Sequence, residues 1–260
     1  MPQLGFGTWQ VSDEEAFPAV LKALEVGYRH IDTAMLYGNE AGVGRAVRES
    51  GIPREEIFVT TKLWNVDHER AGEALEESLE RLGLDYVDLY LIHWPKLGLD
   101  KRVEAWAAME QSRAKGLIRS IGVSNFTPRF LSEILENGSV VPAVNQIEYH
   151  PTFQQREIVA ANEAAGVLTQ AWSPLGQAKN LDDVVLGRIA RETGRTVAQV
   201  VLRWHLQQGR VAIPKSVTPA RIVENFAVTD FSLTPEQMAA IDALHCGNRL
   251  GADPELVYSW

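Results

Sequence analysis

Short apolar runs alternate with longer amphipathic stretches along the whole chain. Eight of the short runs read as β-strands: Leu4–Thr8, His30–Asp32, Phe58–Lys62, Val87–His93, Ser120–Ser124, Val144–Glu148, Leu168–Trp172 and Val211–Pro214. The stretches between them carry apolar residues at helical spacing. In Ala71–Leu82, Leu75, Leu79 and Leu82 fall at i, i+4 and i+7, while Glu73, Glu76, Glu77 and Glu80 occupy the other face. Gly27, Gly51, Gly83, Gly116 and Gly166 each follow a helix-like run, where C-terminal glycines belong. Asp182–Gln208 reads as two helices broken near Gly194, and Thr218–Phe226 and Thr234–Leu244 as two more, each opened by Thr-Pro. Strands that alternate with helices predict βαβ units and parallel pairing. Eight such units in 260 residues fit an α/β (β/α)8 TIM barrel, typically about 250 residues, with two extra C-terminal helices. No linker, repeat or low-complexity tract interrupts the pattern, so residues 1–260 are expected to form a single domain.

Composition narrows the function classes. Hydrophobic residues make up 45% of the chain, enough for a large core. The formal net charge of -9 gives no support for nucleic-acid binding, which asks for a basic face. The single cysteine, Cys246, permits no internal disulfide. No charged-then-apolar leader and no 18-residue apolar run is read, so a cytoplasmic protein without membrane partners, taken as a monomer, is expected.

Candidate chemistry collects at strand ends. Asp32 closes Tyr28-Arg-His-Ile-Asp32, Lys62 closes Ile57-Phe-Val-Thr-Thr-Lys62, and His93 closes Tyr86-Val-Asp-Leu-Tyr-Leu-Ile-His93. Tyr37 lies in the loop after Asp32. Parallel strands of a barrel bring their C-terminal ends to one face, where such enzymes work. Any one of these residues alone is more often a helix cap or a satisfied core group; together they form a set that can protonate a carbonyl oxygen. An ammonium at Lys62 favours the phenolate and is expected to lower the Tyr37 pKa. Asp32 can keep Lys62 charged, and His93 can orient the carbonyl.

The words around these residues resemble the aldo-keto reductase family. Leu4-Gly-Phe-Gly-Thr-Trp9, Gly27-Tyr-Arg-His-Ile-Asp-Thr-Ala34, Tyr37-Gly-Asn-Glu40, Thr61-Lys-Leu-Trp64 and Asp88-Leu-Tyr-Leu-Ile-His-Trp-Pro95 carry the resemblance. So do Gly116-Leu-Ile-Arg-Ser-Ile-Gly-Val-Ser-Asn125, Asn145-Gln146 and Ile213-Pro-Lys-Ser216, and together they span most of the chain in family order. Val141-Pro-Ala-Val-Asn-Gln-Ile-Glu148 and Leu202-Arg-Trp-His-Leu-Gln207 are similar to the branch of bacterial 2,5-diketo-D-gluconic acid reductases.

The resemblance implies NADPH-dependent reduction of a small aldehyde, dicarbonyl or keto-sugar acid, with Asp32, Tyr37, Lys62 and His93 catalytic and no metal. It places Thr8 and Trp9 beside the cofactor. Ser124, Asn125 and Gln146 would hold the nicotinamide amide, and Trp172 would stack on the ring. Ser173, Leu175 and Gly176 would form the loop over the pyrophosphate. Lys215, Ser216, Val217 and Arg221 would take the 2'-phosphate, and Glu224 and Asn225 the adenine. Trp9, Trp64, His93 and Trp94 would wall the substrate pocket.

Gly42-Val-Gly44-Arg-Ala-Val47 nearly spells a Rossmann glycine fingerprint, but it begins inside a helix-like run rather than after a strand. It is rejected as a nucleotide site. Three segments depart from the family pattern, besides the start of the chain. The hairpin that the resemblance places before Leu4 is expected to be absent, which would touch stability more than chemistry. The loops at Pro95–Lys101 and Gln177–Leu181 are short, and the tail Asn248–Trp260 has no clear counterpart. Two other readings stay open from the residues: a lyase using Lys62 as a Schiff-base amine, and a non-catalytic, nucleotide-sensing or structural barrel.

Overall fold

A computed structural model of the chain describes residues 1–96, 101–179 and 181–256. Parts of the three divergent segments, at 97–100, 180 and 257–260, lie outside the described residues. Eight parallel strands pair in chain order: β1 (Phe6–Gly7), β2 (His30–Asp32), β3 (Phe58–Leu63), β4 (Val87–Ile92), β5 (Ile118–Ser124), β6 (Val144–Glu148), β7 (Leu168–Trp172) and β8 (Val211–Ala212). A parallel bridge between Leu4 and Ala212 joins the first strand to the last, reinforced by Gly5 N–H donating to Ala212 O at 2.9 Å and Gly7 N–H to Pro214 O at 3.0 Å. The sheet is thus a closed barrel with no free edge.

Helices wrap its outside: α1 (Asp13–Val26), α2 (Glu40–Glu49), α3 (Ala71–Leu82), α4 (Arg102–Ala114), α5 (Pro128–Asn137), α6 (Arg156–Ala164), α7 (Val184–Thr193), α8 (Val197–Gln207), α9 (Pro219–Phe226) and α10 (Pro235–Asp242). Leu75, Leu79 and Leu82 of α3 are buried, and Glu73, Glu76 and Glu80 are exposed, as the spacing predicts. Gly83 and Gly194 end α3 and α7 in the left-handed conformation, at φ 62° and 66°.

The outer strands are shorter than the sequence predicts. Pro214 has no N–H to continue β8, and Gly7 lies so close to the neighbouring chain that a Cβ there would sit 2.9 Å from Ile213 O. The two Thr-Pro starts also differ. Thr234 caps α10 in a reciprocal box with Gln237, whereas the Thr218 side chain makes no cap bond and α9 opens uncapped.

The glycines of the Rossmann-like segment lie within α2, well past β2, and serve helix packing. A Cβ on Gly44 would fall 1.9 Å from Leu82 O, and one on Gly42 would fall 2.3 Å from Asp13 O. They let α2 press against α3 and α1, a close backbone approach that only glycine permits.

Candidate active site

The strand ends bring Asp32, Lys62 and His93 to one face, and a short 3₁₀ turn, Met35–Tyr37, carries Tyr37 over them. Lys62 Nζ donates to Asp32 Oδ1 at 2.5 Å, to Thr33 O at 2.8 Å and to Tyr37 OH at 3.4 Å. The second Asp32 oxygen accepts from Gln146 Nε2 at 2.7 Å. Lys62 and Asp32 are almost wholly sealed from water, and such a pair is tolerated only when both ions are fully hydrogen-bonded, as here. The His93 ring meets Tyr37 edge-on at 5.6 Å and Trp64 at 5.2 Å between centroids.

Burial pulls the Lys62 ammonium toward neutrality, but Asp32 and Tyr37 outweigh it and its pKa ends above the ordinary lysine value. A charged, triply held amine is the opposite of what a Schiff base needs. Burial drives the His93 pKa well down, helped by the Lys62 charge, so the imidazole is neutral at physiological pH. Tyr37 corrects an expectation. Lys62 does draw its pKa downward, but burial pushes it up more strongly and Asp32 adds to the rise. The net direction is upward, so the phenol keeps its proton at neutral pH.

Above this set opens a cavity of about 760 Å³, within the usual range for small-molecule sites. Trp9, Trp64, His93 and Trp94, expected to wall the substrate pocket, are all in its wall, as are Thr8 and the candidate catalytic Tyr37. Ser124, Asn125, Gln146, Trp172, Ser173 and Leu175 line it too, as do Lys215, Ser216, Val217, Arg221, Glu224 and Asn225. Lys62 and Gly176 are not in the wall: Lys62 is fully buried, bonded to Asp32 and Tyr37, and Gly176 is buried within the loop.

Several of these groups are already engaged with one another. Ser124 Oγ donates to Gln146 O at 2.8 Å. Asn125 Nδ2 donates to His93 O at 3.0 Å, and Asn125 Oδ1 accepts from Trp172 Nε1 at 2.8 Å. Asn125 holds a left-handed backbone, φ 64°, a conformation asparagine tolerates better than most residues and one that clusters at functional sites. Among the described residues Gln146 Oε1 makes no hydrogen bond, which leaves an acceptor suited to an amide N–H. Glu224 is held by the Thr196 hydroxyl at 2.8 Å. Lys215 and Arg221 are exposed and share the cavity with the uncapped start of α9, a donor set that fits phosphate.

Sequence reasoning did not pick out Gln10, Leu36, Leu181, Leu250, Gly251 and Ala252, which also line the cavity. All are loop or tail residues, where no periodicity marks which side chain turns inward.

A closed barrel with a buried lysine–carboxylate pair beneath a tyrosine at its mouth defines an oxidoreductase that works on carbonyls and alcohols. Residues 3–245 match the model of the aldo/keto reductase family, and the chain belongs to that family. It is 52% identical to methylglyoxal reductase DkgA of Escherichia coli strain K12, over 98% of this chain and 94% of that protein. It is 49% identical to morphine 6-dehydrogenase of Pseudomonas putida, over 98% of this chain and 91% of that protein. Among solved structures it is similar to MGS-M4, an aldo-keto reductase from a Medee basin deep-sea metagenome library, with a TM-score of 0.97 and 44% identity, covering 100% of this chain and 97% of that one. A mutant of Gox0644 in complex with NADPH aligns with a TM-score of 0.94 and 44% identity, covering 98% of this chain and 94% of that one.

Proposed function

We propose that the chain is an NADPH-dependent reductase of small polar carbonyl compounds, meaning aldehydes, dicarbonyls or keto-sugar acids, with Asp32, Tyr37, Lys62 and His93 as its catalytic residues. The observation that carries this reading is the continuous bonded line Gln146–Asp32–Lys62–Tyr37 ending at a protonated phenol beside a neutral imidazole. NADPH, when bound, supplies the hydride. The substrate oxygen lies within reach of Tyr37 OH and the His93 ring. His93, being neutral, can hydrogen-bond the carbonyl without adding a charge. As negative charge grows on the oxygen, Tyr37 releases its proton to it. The Lys62 ammonium, held charged by Asp32, stabilises the phenolate left behind. Trp9, Trp64 and Trp94 offer apolar walls that keep water from that oxygen.

Ser124, Asn125 and Gln146 are read as the nicotinamide amide contacts, Trp172 as the ring partner, and Thr8 and Trp9 as neighbours. Ser173, Leu175 and Gly176 shape the loop over the pyrophosphate. Lys215, Ser216, Val217 and Arg221 meet the 2'-phosphate, and Glu224 and Asn225 the adenine. The relatives named for methylglyoxal and morphine chemistry, and the NADPH complex of Gox0644, support this reading. No helix among the described residues is long and apolar enough to cross a membrane. We read the chain as a single-domain, cytoplasmic monomer. The test is NADPH oxidation, followed at 340 nm, against a panel of glyoxals, keto acids, keto-sugars and aromatic aldehydes. Turnover with none of them overturns the reading.

A further inference from the structure

The carboxylate of Glu148, at the C-terminal end of β6, is buried at 1% exposure and is used by none of the chemistry above. Its oxygens point to the C-terminal tail. Leu250 N–H donates to Oε1 at 2.7 Å and Gly251 N–H to Oε2 at 2.8 Å. His150 Nε2, also fully buried, lies 2.9 Å from Oε1, and Thr152 Oγ1 lies 3.1 Å from His150 Nδ1. The Thr152 carbonyl accepts from Cys246 N–H and Asn248 N–H at 3.1 and 3.2 Å. The chain that follows β6 is therefore a cradle that takes residues 246–251 largely through their backbone N–H groups, while the Arg249 side chain lies over Phe153 and Glu255 further along accepts from Thr127 Oγ1. A backbone mode of docking leaves no side-chain pattern, so the sequence could not show it.

The tail so held is part of the cavity wall, through Leu250, Gly251 and Ala252. It also touches Trp172. A Cβ on Gly251 would sit 2.4 Å from Trp172 Cη2 and 3.0 Å from Glu148 Oε2, so the glycine is what allows carboxylate, tail and indole to meet. The far side of the indole is fixed by Asn125, and Asn125 in turn holds the His93 carbonyl. One buried carboxylate thus sets one wall of the pocket and one face of the tryptophan.

We propose that Glu148 is a positioning residue that sets substrate selectivity by latching the tail at residues 250–251 against Trp172. The proposal rests on the reductase reading of the cavity. Releasing the latch moves the wall and leaves Tyr37, Lys62 and Asp32 where they are. Selectivity between large and small carbonyls then changes, while the intrinsic proton transfer does not.

The experiment compares the full-length wild type with E148Q, which keeps the size of the side chain but turns one acceptor into a donor facing an N–H, and with G251A, whose added methyl pushes the tail away from Trp172 and Glu148. Loss of a charge-assisted bond of this kind corresponds to about ten- to a hundredfold. For a bulky aromatic aldehyde, both variants are expected to change KM by at least about tenfold relative to methylglyoxal, with kcat for methylglyoxal held within about threefold in E148Q. Trypsin cleavage after Arg249 is expected to accelerate in E148Q under conditions where circular dichroism shows the barrel folded. If E148Q does not fold, G251A carries the same test through the KM ratio. An unchanged KM ratio in a folded variant, or tail cleavage at the wild-type rate in folded E148Q, overturns the latch. A wild type that reduces neither compound overturns the reductase reading instead, and the cleavage assay still decides whether Glu148 holds the tail.

Discussion

Lys62 and Asp32 form a sealed ion pair, 2.5 Å apart, on neighbouring strands of the barrel. Both ions are almost wholly sealed from water, so each depends on the other and on Thr33 O and Gln146 for its solvation. Removing one charge strands the other in a low-dielectric interior. Asp32→Asn is expected to destabilise the protein by about 3–5 kcal/mol and to reduce turnover together with stability. Chemical denaturation and steady-state kinetics on the same preparation check this; an unchanged midpoint and rate would show that Asp32 supports neither stability nor catalysis.

Tyr37→Phe removes one hydroxyl from the end of that line and leaves the ring packed against His93. Carbonyl reduction should drop about 10²–10⁴-fold, the usual loss on deleting a general acid. NADPH affinity, measured by fluorescence titration, should stay near the wild-type value. A variant that turns over normally sinks the assignment.

Arg221 and Lys215 stand exposed beside the uncapped start of α9. A guanidinium grips phosphate oxygens in pairs. Arg221→Ala should weaken NADPH binding by about ten- to a hundredfold and alter NADH little. The ratio of kcat/KM for the two cofactors is the measurement, and equal losses with both would show that these cations do not read the 2'-phosphate.

His30 sits inside the barrel, with Nδ1 3.3 Å from Pro2 O and Nε2 3.4 Å from Thr60 Oγ1. Burial holds its pKa down to about 4, against a slight upward pull from Asp32. The folded protein therefore resists protonation that the unfolded chain accepts from about pH 6.5. Its stabilising contribution is full above about pH 6.5 and erodes as pH falls toward 4, by a total on the order of 3 kcal/mol. Melting temperatures between pH 7.5 and 4.5 should fall, and His30→Gln should flatten part of that slope. A slope identical in the variant means that His30 does not contribute.

Gly44→Ala tests the rejected nucleotide motif. The added methyl would collide with the Leu82 carbonyl, so α2 must move away from α3. Overpacking of this kind costs about 1–3 kcal/mol. Stability should fall while the NADPH dissociation constant of the folded protein holds; a selective loss of NADPH affinity would return the glycines to a cofactor role.

The repeating unit was legible because short strand-like runs alternate with amphipathic helices, as in Phe58–Leu63 followed by Ala71–Leu82. The candidate catalytic residues were legible because three of them end strands, and strand ends share a face in a parallel barrel. The Tyr37 pKa was misjudged, since a sequence shows the nearby charge but not the burial that outweighs it. Strand limits at β1 and β8 were read too long because hydrophobicity does not report where Pro214 ends the ladder. The tail was illegible for a different reason. Leu250 and Gly251 are held through main-chain N–H groups that every residue but proline owns, which leave no pattern in the tail's own sequence.

The bridge from Leu4 to Ala212 joins residues about 200 positions apart. Most of the loop-closure entropy of that contact must be overcome before the bond itself returns any energy. Until β8 is in place, β1 and β7 both present unpaired backbone, the kind of edge that recruits other chains. Closure therefore belongs to the latest stage of folding, and the half-made barrel is the species most exposed to aggregation. Refolding yield should fall with protein concentration even under conditions where the finished enzyme is stable.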